Sequence, residues 1–351
     1  MSNHATKSMK SVIGFLASLL LLLTGVAGCG ASYQDSISGE AKPTNPRGAS
    51  EQKPMTSDSA LRKTVKLNSG YEMPMLGLGT WTLSNDVAEE SAYFAIKNGY
   101  RLIDTARYYG NEIGVGRGVR RAIDEGIVSR EEIFVTSKIM PGDYQRPDAA
   151  IDDSMARLGL GYIDLMLIHQ PGRGDEEVYK ALERGVRAGK IRSIGISNYY
   201  TSDDFERICR IAEIVPAVVQ NENHIFYQNK ELQEYLRQYG TVVESWYPLG
   251  GRGNTQEIFH NETIRKIAER HEKTPAQIVL RWHLQDGYIA IPGSGNQAHI
   301  VENIDIFDFA LSKEEMQEIC ALNCTCQQKL DTKLKKSGIK NESMYKIHQL
   351  F

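Results

Sequence analysis

The chain lacks most of the marks of a metal or nucleic-acid protein. Its eight histidines include no His-x-His pair, which removes the ligand spacing expected of a metal-dependent hydrolase on a barrel scaffold. An excess of one charge is also missing. Forty-one Lys and Arg stand against 44 Asp and Glu, a net charge of −3, so there is no electrostatic footprint for nucleic acid. Cysteine is scarce at five, and Cys324-Thr325-Cys326 is too tight for the usual zinc spacing, which argues against a metal or redox role. No complete Gly-x-Gly-x-x-Gly fingerprint follows a strand; Gly114-Val115-Gly116-Arg117-Gly118 is a partial match that reads as helix packing.

Long apolar runs are limited to one. Lys7 and Lys10 precede a leucine-rich stretch from Val12 to Val26 that ends in small residues, the pattern of a secretory leader over residues 1–28. Val26-Ala27-Gly28-Cys29 resembles the bacterial lipobox, which implies a lipidated Cys29 and an extracytoplasmic, membrane-anchored lipoprotein. A plain signal peptide or a short membrane span with a chance cysteine gives a similar pattern, and translation from Met55 would give a cytoplasmic protein without the leader. Residues 29–60, rich in Ser, Gly, Pro and Lys without apolar periodicity, read as a flexible tether.

The remainder has the composition of a globular domain. With 351 residues, 41% of them hydrophobic and 24% charged, the chain can bury a full core, and about 250 residues suffice for one eight-stranded α/β barrel. Val65 and Leu67, then Asn68-Ser69-Gly70, then Met73 and Met75 predict a β-hairpin. Eight short apolar runs follow, at Leu76–Gly79, Leu102–Asp104, Ile133–Ser137, Ile163–Ile168, Ile191–Ile196, Ala217–Gln220, Thr241–Glu244 and Tyr288–Ile291. Amphipathic stretches separate them. One has negative charge in its first turn at Asp175-Glu176-Glu177, and another starts with a cap and a proline at Thr274-Pro275. This alternation predicts a (β/α)8 TIM barrel capped by an N-terminal hairpin, over residues 61–326, with a tail at 327–351.

A parallel barrel keeps its chemistry at the C-terminal ends of its strands. Those positions hold Thr80-Trp81, Asp104, Lys138, His169, Ser197-Asn198, Gln220, Trp246 and Ser294, and Tyr109 follows Asp104 by one loop. Three adjacent strands can therefore bring Asp104, Tyr109, Lys138 and His169 around one point. That set suits proton donation to a carbonyl oxygen. A lysine ammonium favours phenolate and lowers a tyrosine's pKa, a carboxylate holds the lysine in place, and a neutral histidine orients the carbonyl. Tyr108 is the competing donor.

Ile103-Asp104-Thr105-Ala106, Tyr109-Gly110-Asn111-Glu112, Thr136-Ser137-Lys138 and Ile168-His169-Gln170-Pro171 jointly resemble the motifs of the aldo-keto reductase superfamily, most nearly its bacterial diketogluconate and glyoxal reductase-like branch. The resemblance spans about Thr64 to Cys320. It implies NAD(P)H-dependent reduction of an aldehyde or ketone, with Asp104, Tyr109, Lys138 and His169 as the catalytic tetrad and Tyr109 as the proton donor. It also implies a monomer acting on a small-molecule carbonyl, with no nucleic-acid partner and no membrane contact beyond the lipid at Cys29. For the cofactor it implies Ser197, Asn198 and Gln220 at the nicotinamide carboxamide and Trp246 stacked on the ring. Gly79, Thr80, Leu249 and Arg252 would lie along the dinucleotide, with Ser294, His299, Glu302 and Asn303 at its adenosine end. A non-enzymatic nicotinamide-binding sensor or accessory barrel is the alternative function.

Two departures stand out. Relatives specific for NADPH commonly carry a lysine at Gly293 and an arginine at His299, so weakened discrimination is expected, with NADPH the default and NADH accepted. Many relatives also have tryptophans where this chain has Met140 and Gln170, leaving Trp81 as the aromatic wall of a more open and polar substrate pocket.

Overall fold

A computed structural model describes residues 63–323. The leader, the tether with Cys29, the edges of the expected barrel segment at 61–62 and 324–326, and the tail at 327–351 lie outside the described residues.

The hairpin forms as read. Strands β1 (Thr64–Lys66) and β2 (Glu72–Pro74) pair antiparallel with Val65 opposite Met73. Gly70 takes the left-handed φ of 91° that the turn requires, and its N–H donates to the Leu67 carbonyl at 2.9 Å. Leu67 and Met73 are buried against Leu102, Phe134, Leu165, Val218 and Ile289, which line the bottom of the barrel interior. The hairpin is a plug.

Eight parallel strands follow: β3 (Leu78–Gly79), β4 (Leu102–Asp104), β5 (Phe134–Ile139), β6 (Ile163–Ile168), β7 (Ile191–Ser197), β8 (Val218–Glu222), β9 (Val242–Trp246) and β10 (Ile289–Ala290). They are hydrogen-bonded in sequence order. Parallel bridges Leu76 to Ala290 and Gly79 to Gly293 join the first strand to the last, so the sheet closes on itself. A Cβ on Gly79 would sit 2.7 Å from the Ile291 carbonyl oxygen, which is why this seam needs glycine.

The intervening helices are α1 (Asn85–Lys97), α2 (Glu112–Asp124), α3 (Pro147–Leu158), α4 (Asp175–Arg187), α5 (Ser202–Cys209), α6 (Lys230–Arg237), α7 (Gly251–His260), α8 (Glu262–His271), α9 (Pro275–Gln285) and α10 (Gln297–Ile304); residues 313–323 are also helical. At α9, Thr274 and Gln277 form a reciprocal capping box with proline at the first turn, as the sequence signals predict. Gly114, Gly116 and Gly118 bring α2 against backbone of its neighbours: a Cβ on Gly116 would lie 2.0 Å from the Leu158 carbonyl oxygen.

Side chains of a strand alternate between its faces. With Leu102, Phe134, Val218 and Val242 in the barrel-interior cluster, the same faces carry Asp104 on β4, Thr136 and Lys138 on β5, Gln220 on β8, and Glu244 and Trp246 on β9. The apolar layer ends and a polar layer begins, both in phase. Four strands (β5, β7, β8 and β9) extend one or two residues past the ends read from hydrophobicity, because the polar residues at their exits still pair in the backbone ladder.

Candidate active site

At the mouth of the barrel, the Lys138 ammonium is fully buried and lies 2.7 and 2.8 Å from the two Asp104 oxygens. It also donates to the Thr105 carbonyl at 3.0 Å and to the Tyr109 hydroxyl at 3.1 Å. Tyr109, on a 3-10 turn at Arg107–Tyr109, is thus the tyrosine that meets the lysine. Tyr108 is 61% exposed and stacked on Trp81 with ring centroids 5.7 Å apart, and no lysine contact to its hydroxyl is found among the described residues.

The electrostatics follow from burial. Burial opposes charge on Lys138, but Asp104 and Tyr109 outweigh it and push the ammonium up to about 12. Burial raises the Asp104 carboxyl too, against the pull of Lys138 and of the Gln220 amide, which donates to Asp104 Oδ2 at 2.9 Å. With three donor contacts on two oxygens, Asp104 is the ionised partner of Lys138. The expectation of a lowered tyrosine pKa is corrected. Lys138 does pull Tyr109 down, but burial is the larger effect and the hydroxyl ends up at about 12. It is therefore protonated at neutral pH and available as a donor. His169, 5.6 Å from the Tyr109 ring between centroids, is held well below its usual value by burial and by Lys138, so its ring is neutral. Its Nδ1 is buried without a hydrogen-bond partner among the described residues.

The Gly110-Asn111-Glu112 segment fastens this loop. Asn111 occupies the cap position of α2, but its side chain does not cap. Its amide instead donates to the carbonyls of Thr80 at 2.8 Å and Leu83 at 3.1 Å, while its oxygen accepts from the Thr105 hydroxyl at 2.7 Å. Glu112 accepts from the Ser137 hydroxyl at 2.6 Å, one residue before Lys138. Both are buried staples between strand exits.

The predicted cofactor residues fall on neighbouring exits. Ser197 is buried at the end of β7, and Asn198 follows with φ 65° and an amide 2.8 Å from the His169 carbonyl. Gln220 is buried on β8, and half-buried Trp246 ends β9 with its indole N–H unpartnered among the described residues. Thr82, Asn198 and Tyr247 all adopt positive φ in the loops just past β3, β7 and β9, where such backbone strain commonly marks a binding site. Gly79 and Thr80 are buried at the β3–β10 seam, and Leu249 is half-buried just before α7; of Arg252 only the backbone, within α7, is described. Ser294 is half-buried and His299 exposed beside the start of α10. Glu302 accepts from the Thr274 hydroxyl at 2.6 Å, and Asn303 is buried. A hydroxyl, two amides and a flat ring on three adjacent exits fit a nicotinamide carboxamide and its ring.

On the substrate side, Trp81, Met140 and Gln170 are half-buried; Trp81 lies 4.8 Å from the Tyr109 ring between centroids, Gln170 follows His169, and Met140 follows the end of β5. The expectation that Trp81 alone supplies the aromatic wall is incomplete, since Tyr108 doubles it by stacking. Glu244 is a further buried residue of the site, and its alternation with Trp246 along β9 is the signal that places its carboxyl inside the barrel.

A closed parallel barrel with a buried Asp-Lys-Tyr set, a neutral histidine and an amide-lined exit defines a nicotinamide-dependent carbonyl oxidoreductase. The sequence profile described as the Aldo/keto reductase family matches residues 75–323. The chain is 45% identical over 269 residues to the glyoxal reductase of Bacillus subtilis (strain 168), covering 76% of this chain and 94% of that protein. It is 40% identical over 299 residues to the NAD(P)H-dependent D-xylose reductase I,II of Candida tropicalis, covering 74% and 92%. Among solved structures, an aldo-keto reductase enzyme from a Medee basin deep-sea metagenome library superposes with a TM-score of 0.70 at 38% identity, covering 74% and 94%. The aldo/keto reductase of Brucella melitensis gives 0.68 at 40%, covering 74% and 98%. The chain belongs to the aldo/keto reductase family. It is an NAD(P)H-dependent oxidoreductase that reduces an aldehyde or ketone to an alcohol.

Proposed function

We propose that the chain acts as a monomer on small aldehydes, dicarbonyls and keto-sugars, with Tyr109 as proton donor. The observation that carries this reading is the 3.1 Å contact between the Lys138 ammonium and the Tyr109 hydroxyl. Bound reduced nicotinamide supplies the hydride to the carbonyl carbon. Tyr109 gives its proton to the carbonyl oxygen, and Lys138 stabilises the phenolate that remains. Asp104 keeps Lys138 charged and aimed. His169, neutral, directs an N–H toward the carbonyl oxygen and sets its angle. Ser197, Asn198 and Gln220 hold the carboxamide, and Trp246 covers one face of the ring. Trp81, Tyr108, Met140 and Gln170 form the mouth, where one aromatic pair faces a more polar side. Small polar carbonyls fit that mixture, and the glyoxal and xylose reductases among the relatives agree with it.

NADPH is the default cofactor by family membership, and NADH is accepted because Gly293 and His299 leave the start of α10 without a permanent cation for a 2′-phosphate. Oxidation of NADPH and NADH by the purified full-length chain, against a panel of small aldehydes, dicarbonyls and keto-sugars, tests both points. Turnover is expected to drop by about 10²–10⁴-fold in Tyr109→Phe, and Gly293→Lys with His299→Arg is expected to raise the preference for NADPH. Tyr109→Phe turning over like wild type would overturn the assignment of the donor.

For the remainder of the chain we propose an exported lipoprotein: residues 1–28 as leader, a lipid on Cys29, residues 29–60 as tether, residues 61–326 as the barrel and 327–351 as a tail. The support is the Val26-Ala27-Gly28-Cys29 sequence after an apolar run. Fatty-acid labelling that disappears in Cys29→Ala is expected. An unlabelled cytosolic product beginning at Met55 would sink it.

A further inference from the structure

Glu244 is a carboxyl with no scaffold reason to exist. It lies on the inward face of β9 between Val242 and Trp246 and is fully buried. A residue that only packed there would be apolar, since a buried carboxyl is costly unless its oxygens are satisfied. Its Oε2 accepts from Gln220 Nε2 at 2.8 Å, and the same nitrogen donates to Asp104 Oδ2 at 2.9 Å. Its Oε1 has no hydrogen-bond partner among the described residues. One amide thus bridges two carboxyls.

Two consequences follow. An amide has two N–H donors on one edge and its carbonyl on the other. With both donors engaged by carboxyls, the Gln220 carbonyl is turned away from them, and the amide cannot flip without setting its oxygen against two acidic groups. The second consequence concerns charge. Asp104 and Glu244 share one ammonium, that of Lys138, in a dry interior. Asp104 receives both lysine contacts and an amide, whereas Glu244 receives the amide alone, so the carboxyl that keeps its proton is Glu244.

We propose that Glu244 is a positioning residue for the reduction: through Gln220 it sets the carbonyl edge that meets the cofactor's carboxamide, and by remaining protonated it keeps a second negative charge away from Tyr109. The charge half of this rests on Tyr109 being the proton donor. The Glu244 proton is not transferred in the reaction. The titratable groups acting around it are Asp104 from β4, Lys138 from β5 and Tyr109 from the loop after β4; its strand neighbours in register, Gln220 on β8 and Ile289 on β10, do not titrate. Burial, and then the Asp104 charge, push the Glu244 carboxyl up to about 8, and its ionised form makes the Tyr109 proton harder to release.

The experiment is the pH dependence of kcat for carbonyl reduction at saturating NADPH in the full-length chain, Glu244→Gln and Glu244→Leu, together with NADPH dissociation constants from fluorescence titration. Wild-type kcat is expected to decline as pH rises through about 8, while uncharged, isosteric Glu244→Gln holds its plateau about one pH unit further. Glu244→Leu, which frees the amide, is expected to bind NADPH about tenfold more weakly, the equivalent of one lost hydrogen bond, with an unchanged far-ultraviolet circular dichroism spectrum. A Glu244→Gln profile that superimposes on wild type overturns the charge role, and wild-type affinity in Glu244→Leu overturns the clamp. If no carbonyl is turned over, the donor reading fails instead, and the binding constants still decide the clamp.

Discussion

Lys138 and Tyr109 meet at 3.1 Å although 29 residues separate them, and the lysine has no exposure to water at all. The contact exists because Lys138 is the inward-facing residue at the top of β5 and Asp104, one strand over, accepts its ammonium on both oxygens. An ammonium so placed is a structural element as well as a chemical one.

Removing it exposes that double role. Lys138→Met leaves the Asp104 carboxyl buried without a counter-charge, and we expect a loss of roughly 3–5 kcal/mol of folding stability. Adding Asp104→Asn should return a substantial part of the stability and none of the activity. Urea unfolding of the two single variants and the double variant, with turnover measured alongside, checks this. A Lys138→Met protein as stable as wild type would contradict the ion pair.

Two buried groups tilt the pH dependence of stability in opposite directions. Burial holds His283 down at about 4, so the unfolded chain, with histidine at ~6.5, binds more protons between those values. Its contribution is complete above ~6.5 and falls as the pH drops, by roughly 1.4 kcal/mol per pH unit. Glu244, raised to about 8, does the reverse: the folded state holds the proton, so its contribution is complete below ~4.5 and is lost as pH rises toward 8. We expect Glu244→Gln to gain on wild type with rising pH across the upper window, and His283→Gln to gain on wild type with falling pH across the lower one. Denaturant midpoints at half-unit intervals from pH 4 to 9 check both signs.

The glycines of α2 are a test of packing alone. The Cβ of Gly116→Ala would lie 2.0 Å from the Leu158 carbonyl oxygen, and that oxygen is backbone, so the α2–α3 contact must open. We expect a loss of ~1–3 kcal/mol with little change in KM, because the site is built on the strand exits. Thermal unfolding and Michaelis curves of this variant separate the two effects.

Much of the architecture was legible from pattern. Alternating apolar runs and amphipathic stretches predict the eight strands, and the Asn68-Ser69-Gly70 turn predicts the plug, because periodicity and turn chemistry are local. Strand ends were less legible. Hydrophobicity stops at Ser137 and Glu244, whereas the ladder runs on to Ile139 and Trp246, since backbone pairing ignores side-chain polarity. Asn111 stands at the cap position of α2, yet its amide is drawn to the Thr80 and Leu83 carbonyls, partners about thirty residues away that no local signal announces.

The sequence by itself determined which residues stand at the strand exits and which face each of them takes, because a strand's alternation and a barrel's polarity are written along the chain. Only the tertiary structure decided that Tyr109 meets Lys138 while Tyr108 stacks on Trp81, that Tyr109 ends up less acidic despite the lysine, and that Glu244 shares an amide with Asp104. Those outcomes depend on how much water is excluded and on which charges share the same dry volume, and both are properties of segments far apart in the chain.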